Sequence, residues 1–169
     1  MNFILFKHTK ISLLLLIIIL IVGCKSITYN EKDIDVARQK VLINQTLDIW
    51  HAAASHADFK TYFDLMDAAS VFVGTDSAEV WNKQAFMAFA KPYFERGKAW
   101  QFKPLNRHIY FDKTNHDIVW FDETLDTWMG ICRGSGVLVK KNRRWLIKHY
   151  VLSLTVPNNK IKAVIKAIK

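Results

Sequence analysis

The side chains with the clearest potential for proton transfer are His149 and Asp122, each in a segment of alternating apolar residues. In the last such segment His149 shares a face with Trp145, Ile147 and Val151. If the face that carries Asp122 and Asp126 points inward, either carboxylate can approach the imidazole, and such a pair can abstract a proton. His51 is a second candidate imidazole. The alternative for His149 is structural, a hydrogen bond to a backbone carbonyl.

Two arginines could recognise a ligand carboxylate. Arg133 precedes 134-GSG-136, where the glycines leave room for close approach and the guanidinium could bind a carboxylate through two hydrogen bonds. The alternative is a bulge that bends a tightly coiled strand. Arg107 is either a ligand clamp or a partner for Asp112 or Asp117 across a hairpin.

Aromatic residues are abundant enough to line an apolar pocket. The chain has six tryptophans, and most must pack in the core. We expect a ligand-binding cavity wall to include the following side chains: Trp81, Trp100, Trp128, Tyr150 and Phe63.

No local motif supports nucleotide, metal or serine hydrolase chemistry. The sequence lacks a phosphate-binding glycine loop, HExxH, CxxC and GxSxG. We therefore expect no cofactor and no metal.

The net charge of +9 is concentrated at the ends of the chain. Seven of the 24 Lys and Arg lie in the first 25 or the last ten residues, which leaves 17 cations against 15 Asp and Glu in the body. Because the body has no field of one sign, we expect no nucleic-acid partner.

The first 24 residues have the layout of a bacterial signal peptide. Two lysines precede an apolar run over residues 11–22, which is too short to cross a bilayer and ends at Gly23-Cys24. Residues 21-IVGC-24 resemble the lipobox of bacterial lipoproteins, in which the cysteine carries the acyl chains that hold the protein in the bilayer. By the same resemblance, Lys25 favours the outer membrane of the cell envelope over the inner one.

Helical periodicity dominates the first half of the mature chain. Residues 25–32 are polar and predict a tether, and Asp33 is a suitable N-cap for a helix that ends near residue 56. Its periodic apolar residues include Val41, Leu42, Ile49 and Trp50. A second helix is predicted over residues 58–66, a strand over 70–74, and a third helix with Asn82 or Ser77 as its cap.

The second half has a period of two. Residues 100–111, 118–129, 132–140 and 144–156 are rich in aromatic and β-branched residues and predict an antiparallel meander. Helices followed by strands indicate an α+β fold. Residues 158–169 predict a basic amphipathic helix that either docks on protein or lies on anionic lipid headgroups.

Two groups of residues carry a resemblance to a known family. The first is Trp50, Ala52, Ala53, Asp58, Phe59, Tyr62, Phe63, Gly74, Thr75, Asp76, Glu79, Trp81, Phe86, Phe89 and Gly97. The second is Gly134 to Val137, Arg144 to His149, and Ser153. Over residues 33–157 they resemble the SnoaL-like domain of the nuclear transport factor 2-like superfamily. The resemblance implies a cone, in which a strongly curved, mostly antiparallel sheet wraps three helices and His149 faces a cavity at the wide end.

The superfamily includes isomerases, dehydratases, cyclases and members without known catalysis, so the fold does not select a function. We expect an anchored envelope protein that binds a small apolar or amphipathic ligand. One alternative is an acid–base enzyme of isomerase, dehydratase or cyclase type that uses His149 and Asp122. Another is a homodimeric interaction module without a ligand.

Overall fold

The computed structural model describes residues 31–169, with side chains described from residue 35. The predicted signal peptide, Cys24 and residues 25–30 of the tether lie outside the described residues. Contacts divide the chain into two units, and the second, Arg38–Lys169, contains the whole sheet and every site discussed below.

Helices occupy the first part of the described chain and strands the second. The helices are α1 (Glu31–Ser55), α2 (Phe59–Asp64), α3 (Lys83–Glu95), a 3-10 turn (Asn158–Lys160) and α4 (Ile161–Ala167). The strands are β1 (Met66–Val73), β2 (Val80–Asn82), β3 (Lys103–Phe111), β4 (Ile118–Thr127), β5 (Gly130–Lys141) and β6 (Arg144–Leu154).

The six strands form one curved mixed sheet in the order β2-β1-β6-β5-β4-β3. Strands β3 to β6 pair with their sequence neighbours as an antiparallel meander, and β1 joins the meander by parallel pairing with β6. The predicted α+β fold with a mostly antiparallel sheet is therefore confirmed. Strand β1 begins four residues earlier than predicted, and the short strand β2 was not expected.

Helix α1 buries a different face from the one that its periodicity suggested. The buried stripe consists of Ile43, Leu47, Trp50 and Ala54, whereas Val41, Leu42 and Ile49 are exposed. Apolar residues occur on both faces, so their spacing could not select the inner one.

Helices α2 and α3 start at side-chain caps that the sequence predicts. The Asp58 carboxylate accepts a hydrogen bond from the Thr61 N–H at 3.0 Å, and the Asn82 side-chain oxygen accepts one from the Ala85 N–H at 2.9 Å. Each cap satisfies a backbone donor that the first helical turn leaves unpaired.

The sheet has a helix-packed face and an open face. In β4 the odd-numbered residues are buried against the helices, which directs Asp122 to the open face. In β6 the ladder shifts register between Val137 and Leu138, so that Lys148 is an extra residue. Because of this bulge Ile147 and Tyr150 are both buried, and His149 points to the open face. The expectation that His149 shares a face with Trp145 and Ile147 is wrong for this reason.

The glycines of β5 make room for buried side chains on the helix-packed face. A Cβ on Gly134 would lie 2.2 Å from the Tyr150 hydroxyl and 3.0 Å from Cγ of Glu123. A Cβ on Gly136 would lie 2.3 Å from the backbone oxygen of His149. The close approach at 134-GSG-136 is therefore made by the protein's own strand β6.

A buried carboxylate lies where β1 and β6 lose their regular register, between Met66 and Val71 of β1. Asp67 is 2% exposed and binds the ammonium groups of Lys141 and Lys148. Burial raises the pKa of Asp67, but hydrogen bonds from Lys141, the Ala69 N–H and Lys148 outweigh that effect and bring the pKa to about 2.

The tail after β6 forms the short helix predicted from its apolar and basic pattern. Within the described part of the chain, no side chain of α4 is buried. Nor does any helix in residues 31–169 have the length and hydropathy needed to cross a membrane.

Replacing Gly134 with alanine should destabilise the domain, because the new methyl would displace the Tyr150 hydroxyl. We expect a loss of about 1–3 kcal/mol in the free energy of unfolding, the usual range for overpacking. Urea titration followed by circular dichroism would measure it. Ser135→Ala, on the open face of the same strand, is the matched control, and an equal loss in both variants would contradict the steric explanation.

Asp67 should make stability depend on acid pH. Because its folded pKa lies below the ordinary value of 3.8, its contribution is present above about pH 4 and disappears as the pH falls through 2. The contribution is on the order of 1–2 kcal/mol, since both lysines remain partly in water. Urea titrations at several pH values should show that the free energy of unfolding falls less steeply below pH 4 for Asp67→Asn than for wild type. An equal pH dependence of the two proteins would refute the assignment.

Candidate functional site

An apolar cavity of about 160 Å³ opens between α3, the β1–β2 connection and the β4–β5 turn. Its wall includes Trp81, Trp100 and Trp128, three of the aromatic side chains predicted for a pocket. The other lining residues are Phe72, Gly74, Thr75, Glu79, Phe86, Phe89, Phe102, Met129 and Leu152.

Several rings in the wall are nearly parallel. Trp81 stacks on Phe86 and Phe89, with centroid distances of 5.6 and 4.5 Å and interplanar angles of 16° and 23°. Phe86 continues the stack to Phe72 at 4.0 Å and to Trp100 at 5.8 Å. A further flat apolar group can pack against such rings in the same offset-stacked or edge-to-face arrangements, so the cavity suits a flat apolar group.

Glu79 is the ionisable residue among the described residues that line the cavity. The β1–β2 connection holds it in place, because the Gly74 N–H donates to the Glu79 backbone oxygen at 2.8 Å. A Cβ on Gly74 would lie 2.1 Å from Oε2 of Glu79. The absence of a side chain at Gly74 therefore lets the carboxylate fold back against the wall, where it can accept a hydrogen bond.

A separate polar cluster surrounds Glu123, which is 0% exposed on the helix-packed face of β4. His51 of α1 approaches Oε1 of Glu123 at 2.8 Å, and the Tyr150 hydroxyl donates to the same oxygen at 3.1 Å. Arg107 of β3 donates to Oε2 through Nε at 2.9 Å, and its Nη1 lies 2.8 Å from Asp48. The cluster thus ties one helix to three strands.

The charges of this cluster are mutually compensated. Burial raises the pKa of Glu123, but the hydrogen bond and charge of His51 and the charge of Arg107 outweigh burial, so the pKa lies below its ordinary value. An ionised carboxylate only accepts, so His51 donates through Nε2. Burial and the Glu123 charge raise the pKa of Tyr150 well above its ordinary value, which keeps the phenol protonated.

Three predicted site residues belong to the interior and not to the cavity wall. His51 and Tyr150 hold Glu123, and Phe63 packs among core rings, 4.6 Å from Phe59 and 5.5 Å from Phe86 between centroids. Phe102 lines the cavity and meets the His51 ring edge to face at 6.4 Å. The structure therefore places one aromatic layer between the cavity and the polar cluster.

Asp122, His149 and Arg133 lie on the open face of the sheet, on the side opposite the helices. Strand β5 separates Asp122 from His149, which places them two strand spacings apart, roughly 10 Å. Asp122 instead accepts hydrogen bonds from the Tyr110 hydroxyl at 2.9 Å and from His108 at 3.2 Å. The predicted carboxylate–imidazole pair is not formed.

The roles of Glu123 and Arg107 were not predicted from the sequence. Glu123 alternates with the buried residues Val119, Phe121 and Leu125. An acidic residue on an otherwise apolar strand face was the sequence feature that could have identified it. Arg107 binds Glu123 and Asp48 and not the hairpin acids Asp112 or Asp117. Among the described residues, no group of His, Cys, Asp and Glu is arranged to hold a metal ion.

Glu123→Gln should destabilise the fold strongly, because the buried Arg107 would lose its buried charged partner and keep only the exposed Asp48. We expect a loss of about 3–5 kcal/mol in the free energy of unfolding. Asp122→Asn, the neighbouring change on the open face, is the control and should cost less than about 1 kcal/mol. Equal urea midpoints for the two variants would show that the buried cluster does not stabilise the domain.

Comparison with known proteins identifies the fold. Nuclear transport factor 2-like proteins of Pseudomonas putida and Cytophaga hutchinsonii superpose with TM-scores of 0.60 and 0.56 at 13% and 17% identity. The alignments cover 73% and 75% of this chain and 92% and 100% of theirs. A candidate dehydratase of Streptomyces avermitilis gives 0.59 at 14% identity, over 75% of this chain and 99% of its own.

Sequence comparison gives the family. No curated protein matches the sequence. The profile of the SnoaL-like domain matches residues 43–157, more than half of the chain. The chain therefore belongs to the SnoaL-like family and has the nuclear transport factor 2-like fold.

Proposed function

We propose that this protein binds one small apolar or amphipathic molecule in the aromatic cavity. The observation that carries the proposal is the wall itself, where stacked rings surround about 160 Å³ beside a single carboxylate. A cavity of about 150 Å³ holds one aromatic ring. The ligand class is thus a flat apolar group that places one ring in the cavity and carries a hydrogen-bond donor for Glu79.

We place this binding protein in the bacterial envelope, anchored through acylated Cys24 and on the outer membrane. Support comes from the sequence alone: a short apolar run ends at 21-IVGC-24, and Lys25 follows. An anchored protein of this kind would keep its ligand close to the membrane surface.

An acid–base enzyme receives no support from the geometry of the cavity. Of the residues described in its wall, Glu79 is ionisable, whereas Asp122 and His149 lie on the open face. Proton abstraction by Asp122 and His149 would need that pair within hydrogen-bond reach of the substrate, and Glu79 has no second acid–base group beside it in the described wall. Binding without turnover is therefore the function that the site supports best.

A homodimer remains a compatible second function. On the open face Tyr110 and Trp120 are exposed and stack with centroids 6.0 Å apart. Aromatic rings of this kind are enriched at protein interfaces. Because the cavity lies on the helix-packed side of the sheet, pairing through the open face would leave ligand binding intact.

The ligand should co-purify with residues 26–169 expressed in a bacterial host and appear in native mass spectra. Indole offers a test with a defined probe, since it combines a flat ring system with one N–H donor. Thr75→Trp should fill the cavity mouth and raise the Kd for indole at least about tenfold, which corresponds to a loss of about 1.4 kcal/mol. Titration calorimetry would measure the change.

Lys113→Trp is the matched control, because it adds the same ring at an exposed position of the β3–β4 connection. It should leave indole binding and the co-purifying mass unchanged. If wild type carries no small molecule and indole binds both variants equally, the cavity is not a binding site.

A further inference from the structure

The end of the sheet that carries the β4–β5 turn exposes an unusual amount of apolar surface. Trp128, within this turn, is 84% exposed. Ile131 and Leu154, on the adjoining ends of β5 and β6, are 44% and 50% exposed, Ile131 on the open face and Leu154 on the helix-packed face. Large exposed apolar groups at one end of a domain mark an interaction surface.

The exposure of Trp128 follows from an ordered turn. The Thr127 hydroxyl donates to the Gly130 backbone oxygen at 2.9 Å and accepts from the Met129 N–H at 3.0 Å. Gly130 has a φ of 87°, which its lack of a side chain permits. The turn is thus closed by its own hydrogen bonds and presents the indole outward.

The C-terminal tail leaves the sheet at the same end. Thr155 donates to the Ile131 backbone oxygen through both its N–H at 3.1 Å and its hydroxyl at 2.6 Å. These bonds fix the start of the tail next to β5, two residues before Pro157. Helix α4 then begins at Ile161.

Helix α4 has the side-chain arrangement of a helix that lies at a lipid surface. At roughly 100° per residue, its apolar side chains Ile161, Val164 and Ile165 fall on one face, and Lys162 and Lys166 lie along one side of that face. Lys160 precedes the helix, and Ile168 and Lys169 follow it. Lysines in flanking positions can reach headgroup phosphates while the apolar face enters the acyl boundary.

The positive charge of the C-terminal part of the chain favours an anionic partner. The last acidic residue of the sequence is Asp126, and ten Lys and Arg follow it, of which Lys141 and Lys148 bind Asp67. We propose that Trp128 and helix α4 form one contact surface for an anionic lipid bilayer. Tryptophan at the headgroup level and lysines beside an apolar helix face are the groups that such an interface accommodates. The proposal does not depend on the cavity.

The test uses the full chain reconstituted into vesicles of equal parts phosphatidylglycerol and phosphatidylcholine, or of phosphatidylcholine alone. An environment-sensitive fluorescent amino acid replaces Ile165 or Trp128 in separate variants. In anionic vesicles both emissions should shift to shorter wavelength and be quenched by lipids brominated in their acyl chains. In phosphatidylcholine alone both effects should be weaker.

The control places the same fluorophore at Lys113, in the connection at the opposite end of β4. It should stay in water in both kinds of vesicle. Replacing the four tail lysines with glutamine should abolish the shift at position 165. The proposal is overturned if the emission at positions 165 and 128 does not shift, or if the emission at position 113 shifts equally. It is also overturned if the shift at position 165 persists after the four lysines are replaced. Indole binding to the variants at positions 165 and 113 reports separately on the cavity, whereas Trp128 lines it.

Discussion

The carboxylate of Glu123 can be buried only because three other elements bring compensating groups to it. Helix α1 supplies His51, β3 supplies Arg107 and β6 supplies Tyr150, while Glu123 itself lies on β4. A buried ion of this kind is costly unless every partner is in position. The cluster therefore requires one angle of α1 across the sheet and one register of the meander, and the packing of the aromatic core follows from that arrangement.

This arrangement separates polar chemistry from the ligand cavity. Of the side chains predicted for proton transfer, His51 is held within the Glu123 cluster, and Asp122 and His149 lie on the open face. Phe102 stands between the cluster and the cavity. What reaches the cavity is flat aromatic surface and one carboxylate, which is a composition suited to holding a molecule.

The fold was predictable because helix caps, period-two runs and turn residues all agree with it. Asp58 and Asn82 cap helices where the sequence suggested, and the tryptophans chosen for the cavity wall line it. The polar site was not predictable, because its residues could be assigned only if the inward-pointing face of each strand was known. A single extra residue in β6 changes which residues point inward between Ile147 and Tyr150. No local pattern in the sequence indicates this bulge. The same limit applies to helix α1. It has apolar residues on both faces, so their spacing could not show which face is buried.

The bulge in β6 also shows which change of chain length this strand can accept. Two residues, Lys148 and His149, separate the inward-facing Ile147 from the inward-facing Tyr150. Side chains two positions apart share a face in a regular strand, so removing one of the two residues would restore a regular ladder and keep both Ile147 and Tyr150 inward. Relatives that keep the Glu123 cluster can therefore either contain this extra residue or lack it.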